Sequence, residues 1–348
     1  MKKNLIAKVL IMIFLANLFL LILSYKPVEA SEKKYQTMEA PKDTTFSMNS
    51  VEKFLDTDAK IMKYDSRTGE TTEVNKDELR KELLSKNILN QNDEFTTIPG
   101  YFPDGNTSSS NLNTQIFPRA SASSALKVTD TSVDRYRGTC RIEANSTSSN
   151  EMMIGSGFLV GPNLALTAAH CVFDGDNNNA IYPNWNIYAA YNNGHIYGDA
   201  DVCGWKQVYF YDAWKQTHNS DYDIALCVLY ENIGDQVGYY GLRVYSSDSA
   251  LNGTAVSLQG YPANTDEGFS KGGYDQYVSS GYVTSVSTLS FTGDFYTTKG
   301  FSGGPVLPQS NPYVALGVEV GQNKLFKTPY SVRISQNLSD LVVSLRQQ

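Results

Sequence analysis

Hydrophobic and polar positions divide the chain into stretches of different texture. From about residue 120 onward, short apolar runs recur between clusters of Gly, Asn, Asp and Pro. Examples are Gly157-Phe158-Leu159-Val160, Leu164-Ala165-Leu166-Thr167, Trp185-Asn186-Ile187-Tyr188 and Val208-Tyr209-Phe210-Tyr211. Short runs bounded by turn residues predict strands, so this region reads as an all-β domain of the sandwich or barrel kind. No long helix is expected to interrupt it. At its end Ile334, Leu338, Leu341, Val342 and Leu345 fall at helical spacing, which predicts one amphipathic helix closing the domain.

The N-terminal third has a different pattern. Lys2, Lys3 and Lys8 precede an apolar run from Val9 to Leu23, and Val28-Glu29-Ala30 offers small residues at cleavage positions. Residues 1–30 therefore read as a secretory signal peptide. The competing reading is an uncleaved membrane anchor, against which stand the shortness of the run and Asn17 within it. From residue 31 to 119 charged and polar residues dominate, and Gly105-Asn106-Thr107-Ser108-Ser109-Ser110-Asn111 reads as a flexible linker. Only residues 76–84 carry clear helical character. The region is expected to be a pro-segment, or else an N-terminal extension that persists in the mature chain. The expected organisation is thus a signal (1–30), a pro-segment with linker (31–119) and a β-strand-rich domain (120–348).

Composition narrows this picture. With 348 residues, 41% of them hydrophobic and 12% aromatic, the chain has enough apolar material for one or two globular domains. A net charge of −7 without a basic stripe argues against a nucleic-acid partner. No second apolar stretch approaches spanning length, so no membrane association is expected once the signal is removed. Four cysteines in an exported protein suggest disulfide bonds, and four cysteines allow three pairings.

The chemistry concentrates in Gly300-Phe301-Ser302-Gly303-Gly304-Pro305. A serine flanked by glycines suits a tight turn that exposes its hydroxyl and aims backbone N–H groups at one point, an oxyanion hole beside a nucleophile. Serine is a weak nucleophile alone, so the reading requires a histidine base and a carboxylate to orient it. His170 lies in Leu166-Thr167-Ala168-Ala169-His170-Cys171, and Asp223 in Asp221-Tyr222-Asp223-Ile224-Ala225-Leu226. His195 and His218 sit among Asn, Gly, Thr and Ser, read as surface loops, and lack zinc-site spacing. No cofactor is implied. Asp221 rivals Asp223, since a strand would point both to one face.

Thr-Ala-Ala-His-Cys, Asp-Ile-Ala-Leu and Gly-x-Ser-Gly-Gly-Pro, in the order His, Asp, Ser, resemble the chymotrypsin-like (trypsin-like) serine proteases. The resemblance runs from about Val128 to the C-terminus. Val128-Thr129-Asp130-Thr131, Tyr296-Thr297-Thr298 and Ser331-Val332-Arg333-Ile334 are similar to segments of the bacterial glutamyl endopeptidase branch. It implies two six-stranded antiparallel β-barrels followed by a C-terminal helix, with the active site between the barrels. It also implies a secreted serine endopeptidase acting on proteins or peptides through an acyl-enzyme. Ser302 would attack, His170 would shuttle the proton, Asp223 would orient His170, and the amides of Gly300 and Ser302 would hold the oxyanion. The apolar Ile224-Ala225-Leu226 after Asp223 matches the family segment and favours it over Asp221.

Several departures from the family pattern carry consequences. Phe301 replaces the aspartate with which a new N-terminal amine pairs in animal relatives, so any activation switch must work otherwise. Many relatives join the cysteine after the catalytic histidine to one on the preceding strand, but the matching place near Gly155 has none. Cys171 is left with Cys140, Cys203 or Cys227, or stays a buried free thiol. Scission is expected near Arg119-Ala120, at about the distance before Val128 where relatives begin. Glu319 replaces the histidine that binds an acidic substrate residue in the glutamyl branch. Charged at neutral pH, it would repel an acidic residue and favour a basic one in the specificity pocket. Alternatively Lys299 or another cation of the protein neutralises it, and the pocket, with Thr297 on its wall, takes something uncharged. A different class of function, a protease-like binding module or adhesin without turnover, is the rival to the whole reading.

Overall fold

The computed structural model describes residues 35–37, 59–85, 95–103, 124–149, 151–197, 202–322 and 328–348. The expected signal peptide (1–30), the expected linker at 105–111 and the expected scission point at Arg119-Ala120 lie outside the described residues.

Three short strands open the described chain: β1 (Tyr35–Thr37), β2 (Ile61–Asp65) and β3 (Thr71–Glu73). Helix α1 (Lys76–Ser85) and β4 (Phe95–Ile98) follow, so the helix expected at 76–84 forms. Its first turn carries Asp77 and Glu78, which suit the positive end of the helix dipole. The next group comprises β5 (Leu126–Lys127), a turn of helix α2 (Asp134–Arg137), β6 (Thr139–Asn145), β7 (Met152–Gly161) and β8 (Leu164–Thr167). After a small pair, β9 (Phe173–Asp174) and β10 (Ala180–Ile181), come β11 (Asn186–Ala189), β12 (Trp205–Tyr211), α3 (Asp212–Thr217) and β13 (Ala225–Leu229). The predicted apolar runs fall in β7, β8, β11 and β12. All five residues of β13 are buried.

These strands form one sheet in the order β11-β6-β7-β8-β13-β12-β2-β3, with β1 joined in parallel to the start of β7. The expected first barrel is absent, because this sheet does not close. Closure would bring β11 onto β12, but among the described residues β11 touches the approach to β12 only through the single bridge Ile187↔Cys203. From Gln207 to Tyr211 the free edge of β12 is instead taken by β2, in antiparallel register with Asp65 to Ile61. An edge strand has one row of unpaired N–H and C=O groups, and here the N-terminal segment has filled it.

The second half does close. It contains α4 (Gly234–Val237), β14 (Gly241–Tyr245), α5 (Asp248–Leu251), β15 (Ala255–Gly260), β16 (Tyr277–Val286), β17 (Ser290–Gly293), β18 (Pro305–Pro308), β19 (Val314–Ala315), β20 (Gly317–Gln322) and β21 (Pro329–Arg333). The ring β15-β18-β20-β21-β17-β16 returns to β15, giving one six-stranded barrel, with β5 added to β16. A separate small sheet runs β19-β14-β4.

The closing helix is α6 (Gln336–Arg346), begun by Ser335, whose side chain accepts the Leu338 amide at 3.2 Å. Leu338, Leu341, Val342 and Val343 of α6 are buried. Six α-helices are present among the described residues, only α1 and α6 exceeding two turns, so the domain is β-rich rather than purely β. The expected disulfides are also absent: all four cysteines are free and buried. The thiols of Cys140, Cys171 and Cys203 each face a backbone carbonyl instead, those of Gly138, Ser302 and Gly204. Burial pushes the Cys140 and Cys227 thiols well up, which keeps them protonated and unreactive.

Candidate active site

Each of the three expected residues sits where a regular element ends. His170 occupies a 3₁₀ turn, Ala169–Cys171, directly after β8, and Asp223 ends another, Ser220–Tyr222, before β13. Ser302 lies in the turn between β17 and β18 of the barrel. Since β8 and β13 are hydrogen-bonded neighbours, with Thr167 opposite Ala225, His170 and Asp223 meet. The Nδ1 of His170 is 2.6 Å from Asp223 Oδ2, and the His170 amide donates to Asp223 Oδ1 at 2.9 Å. Two contacts to one carboxylate hold the ring in place and leave Nε2 as the working nitrogen.

Nε2 is buried and has no hydrogen-bond partner, so the bond to the Ser302 hydroxyl is not made in this structure. The serine turn is nevertheless beside the histidine segment, since the Cys171 thiol donates to the Ser302 carbonyl at 3.5 Å. Catalytic hydrogen bonds often tighten only when substrate is bound. Burial works against the protonated imidazole, but the Asp223 carboxylate, together with the neighbouring Cys171 sulfur, outweighs it and raises the His170 pKa well above the ordinary 6.5.

The turn is shaped by two glycines in left-handed conformations, Gly300 at φ +95° and Gly303 at φ +87°. A Cβ on Gly300 would lie 2.5 Å from the Tyr261 carbonyl oxygen, and one on Gly303 would overlap the Ser156 carbonyl. Among the described residues, neither the Gly300 nor the Ser302 amide is spent on a backbone hydrogen bond. Two unspent N–H groups flanking one residue are what an oxyanion hole requires. Phe301 is fully buried and meets Tyr296 edge-on, with centroids 6.5 Å apart.

Sequence reasoning missed Ser156. Its hydroxyl donates to the Gly300 carbonyl at 2.7 Å and accepts the Tyr261 amide at 2.8 Å, while its own amide donates to the Ser302 carbonyl at 2.7 Å. It ties β7 to the serine turn. The available signal was Gly155-Ser156-Gly157, a polar residue between glycines on an otherwise apolar strand. Asp221 separates from Asp223 because the chain turns there rather than running as a strand; Asp221 accepts from the Tyr330 hydroxyl. His195 is exposed, and His218 Nε2 lies 2.9 Å from the Asn179 side-chain oxygen.

Glu319, on β20, is fully buried with Oε2 accepting from Ser331 at 2.7 Å and Oε1 unpaired. Thr297 is buried near the same carboxyl, its hydroxyl without a hydrogen-bond partner. Burial dominates over the stabilising influence of Ser331, Thr297 and the nearby backbone and pushes the Glu319 pKa up to about 8. The expected charge at neutral pH is therefore mostly absent. Lys299 is exposed, and the groups that hold Glu319 down are the neutral hydroxyls and amides of Ser331, Thr297, Gly321 and Tyr330. Among the described residues no three His, Cys, Asp or Glu side chains gather as a metal-ligand set.

Residues 155–316 match the trypsin-like peptidase domain. Over 187 residues the chain is 30% identical to the glutamyl endopeptidase of Bacillus licheniformis, covering 53% of each. Over 138 residues it is 28% identical to a Bacillus subtilis protein named extracellular metalloprotease, covering 40% of this chain and 42% of that one. The chain thus spans about half the length of these curated relatives. A solved Glu endopeptidase superposes with a TM-score of 0.55 at 24% identity, over 64% of this chain and 97% of its own. The protease Anisep of Arthrobacter nicotinovorans superposes with a TM-score of 0.50 at 22% identity, over 64% of this chain and all of its own.

Proposed function

We propose that this chain, which has the trypsin-like serine protease fold and is related to the bacterial glutamyl endopeptidases, is a secreted serine endopeptidase. The observation that carries the proposal is the Asp223-His170 pair, buried and closed at 2.6 Å with Nε2 unspent, beside a serine held on a glycine turn. Ser302 Oγ attacks the substrate carbonyl while His170 Nε2 takes its proton. Asp223 stabilises the imidazolium, and the Gly300 and Ser302 amides donate to the oxyanion. Collapse of the tetrahedral intermediate breaks the peptide bond, His170 returns the proton to the leaving amine, and water then releases the acyl group by the same steps. The substrates are proteins or peptides, processed outside the cell after the signal is removed.

In the specificity pocket, Glu319 with Thr297 receives the residue before the cleaved bond, with a preference for a basic side chain. A lysine or arginine must first ionise Glu319, whose pKa of about 8 leaves it mostly neutral at pH 7. The preference for Arg over Phe therefore grows about tenfold between pH 7 and pH 9.

The activity is tested by labelling with a serine-directed phosphonylating reagent and by Ser302→Ala. Wild type is expected to be labelled on Ser302 and to hydrolyse peptides, and the variant to do neither. An unlabelled wild type would instead support a protease-like binding module. Kcat/KM ratios for paired Arg, Phe and Glu substrates test the pocket; a preference for Glu, or an Arg preference unaltered by Glu319→Gln, defeats that part.

A further inference from the structure

Residues 59–85 and 95–102 are built into the body of the protein rather than laid against it. Ala59, Ile61 and Phe102 belong to the main hydrophobic core, and Phe102 packs edge-on between Tyr240 and Tyr313 at centroid distances of 5.7 and 5.4 Å. The segment completes two sheets. Strand β2 fills the edge of β12 over five residue pairs, and β4 fills the edge of β14 over four. Tyr101 and Tyr239 exchange backbone hydrogen bonds of 2.8 and 2.6 Å.

Charge and close approach complete the seam. Arg80 of α1 meets Asp340 of α6 at 2.7 Å, and the Asp340 side chain is only 2% exposed, so removing Arg80 strands a buried carboxylate. Arg346 donates to the carbonyls of Pro99 at 2.8 Å, Tyr240 at 2.9 Å and Val160, joining the segment to the domain through one guanidinium. Glycines stand on both sides of the contact. A Cβ on Gly100 would lie 2.5 Å from the Gly241 amide, and one on Gly241 would overlap the Ile98 carbonyl. On Gly238, at φ +86°, it would lie 2.5 Å from the Phe102 ring. The segment's partners are β12, β14 and α6, whereas His170, Asp223 and Ser302 stand on other elements.

We propose that after scission between residues 103 and 124 the N-terminal piece is not released, and that residues 59–85 and 95–102 hold it docked as a second, noncovalently bound chain of the processed protein. Its departure would bare the edges of β12 and β14, empty the Phe102 site and leave Asp340 without its cation. The partner that these surfaces fit is this segment of the same polypeptide. The inference does not rest on the catalytic reading, since it requires only a cut chain, whatever makes the cut.

The test uses the full chain, cut after Arg119 with limiting trypsin, quenched, and checked by mass spectrometry. On native size exclusion the two fragments are expected to elute together in 1:1 ratio at the intact mass, and to part only in denaturant. An N-terminal fragment that elutes alone from a still-folded C-terminal fragment overturns the proposal. In a second measurement, Gly241→Ala is expected to speed loss of the N-terminal fragment from an immobilised C-terminal fragment at least tenfold. If that variant does not fold, Arg80→Ala, at a partly exposed position, is expected to speed it several-fold. A release rate unchanged in the variant that folds overturns the assigned seam.

Discussion

The carbonyl of Glu319 accepts the Gly303 amide at 2.6 Å, and the Glu319 amide donates to the Gly304 carbonyl at 2.9 Å. The wall of the candidate pocket and the turn that carries Ser302 are therefore one hydrogen-bonded unit of backbone. Whatever moves one moves the other.

Gly303→Ala should break that unit. The residue sits at φ +87°, and a Cβ there would overlap the Ser156 carbonyl and the Thr167 hydroxyl, both fixed by neighbouring strands. A destabilisation on the order of 3 kcal/mol is expected, together with a fall in kcat/KM of about a hundredfold or more as Ser302 shifts. Denaturant unfolding and peptide hydrolysis on the same preparation check both. Near-wild-type values would mean that the turn relaxes freely.

The acid limb of activity should lie higher than an ordinary histidine would place it. In the proposed mechanism His170 serves as the base only when neutral, and Asp223, with Cys171 beside the ring, holds its pKa well above 6.5. Kcat/KM is therefore expected to fall as pH drops through a midpoint above 6.5. In Asp223→Asn the carboxylate is gone, so the limb should move down while the rate drops by about 10⁴. A wild-type midpoint at or below 6.5 contradicts the electrostatic argument.

Glu319 should make the fold less stable as pH rises. Its pKa is near 8 in the folded chain against an ordinary 4.5. The folded state thus keeps a proton that the unfolded chain surrenders, and stability declines with pH across that window, by up to about 5 kcal/mol. Glu319→Gln removes the titrating group and keeps the shape. Unfolding free energies at pH 5 and pH 9 should differ less in the variant than in wild type; equal differences would show that Glu319 is not the source.

Thiol counting checks the cysteine arrangement. All four cysteines are buried and unbridged, so a thiol reagent is expected to label almost nothing in the folded protein and four groups per chain after denaturation without reductant. Two or fewer groups in denaturant would reveal a bridge.

Much of the candidate site was legible in the chain because its parts are short and local. Gly300 to Pro305 carry their turn in their own glycines, and the residues around His170 and Asp223 lie at strand ends that the apolar runs of β8 and β13 announce. The strands of 157–167 and the helix of 336–346 follow from periodicity for the same reason. Burial and long-range pairing are not local, and these the sequence left undecided. Whether Glu319 is charged depends on how completely β20, β21 and Thr297 exclude water from it, which no spacing of residues expresses. Whether the first sheet closes depends on what takes the edge of β12, and Ile61–Asp65, about 140 residues earlier in the chain, occupies it, so the expected first barrel stays open. A backbone edge accepts any strand that reaches it in register, so its occupant is set by how the whole chain packs.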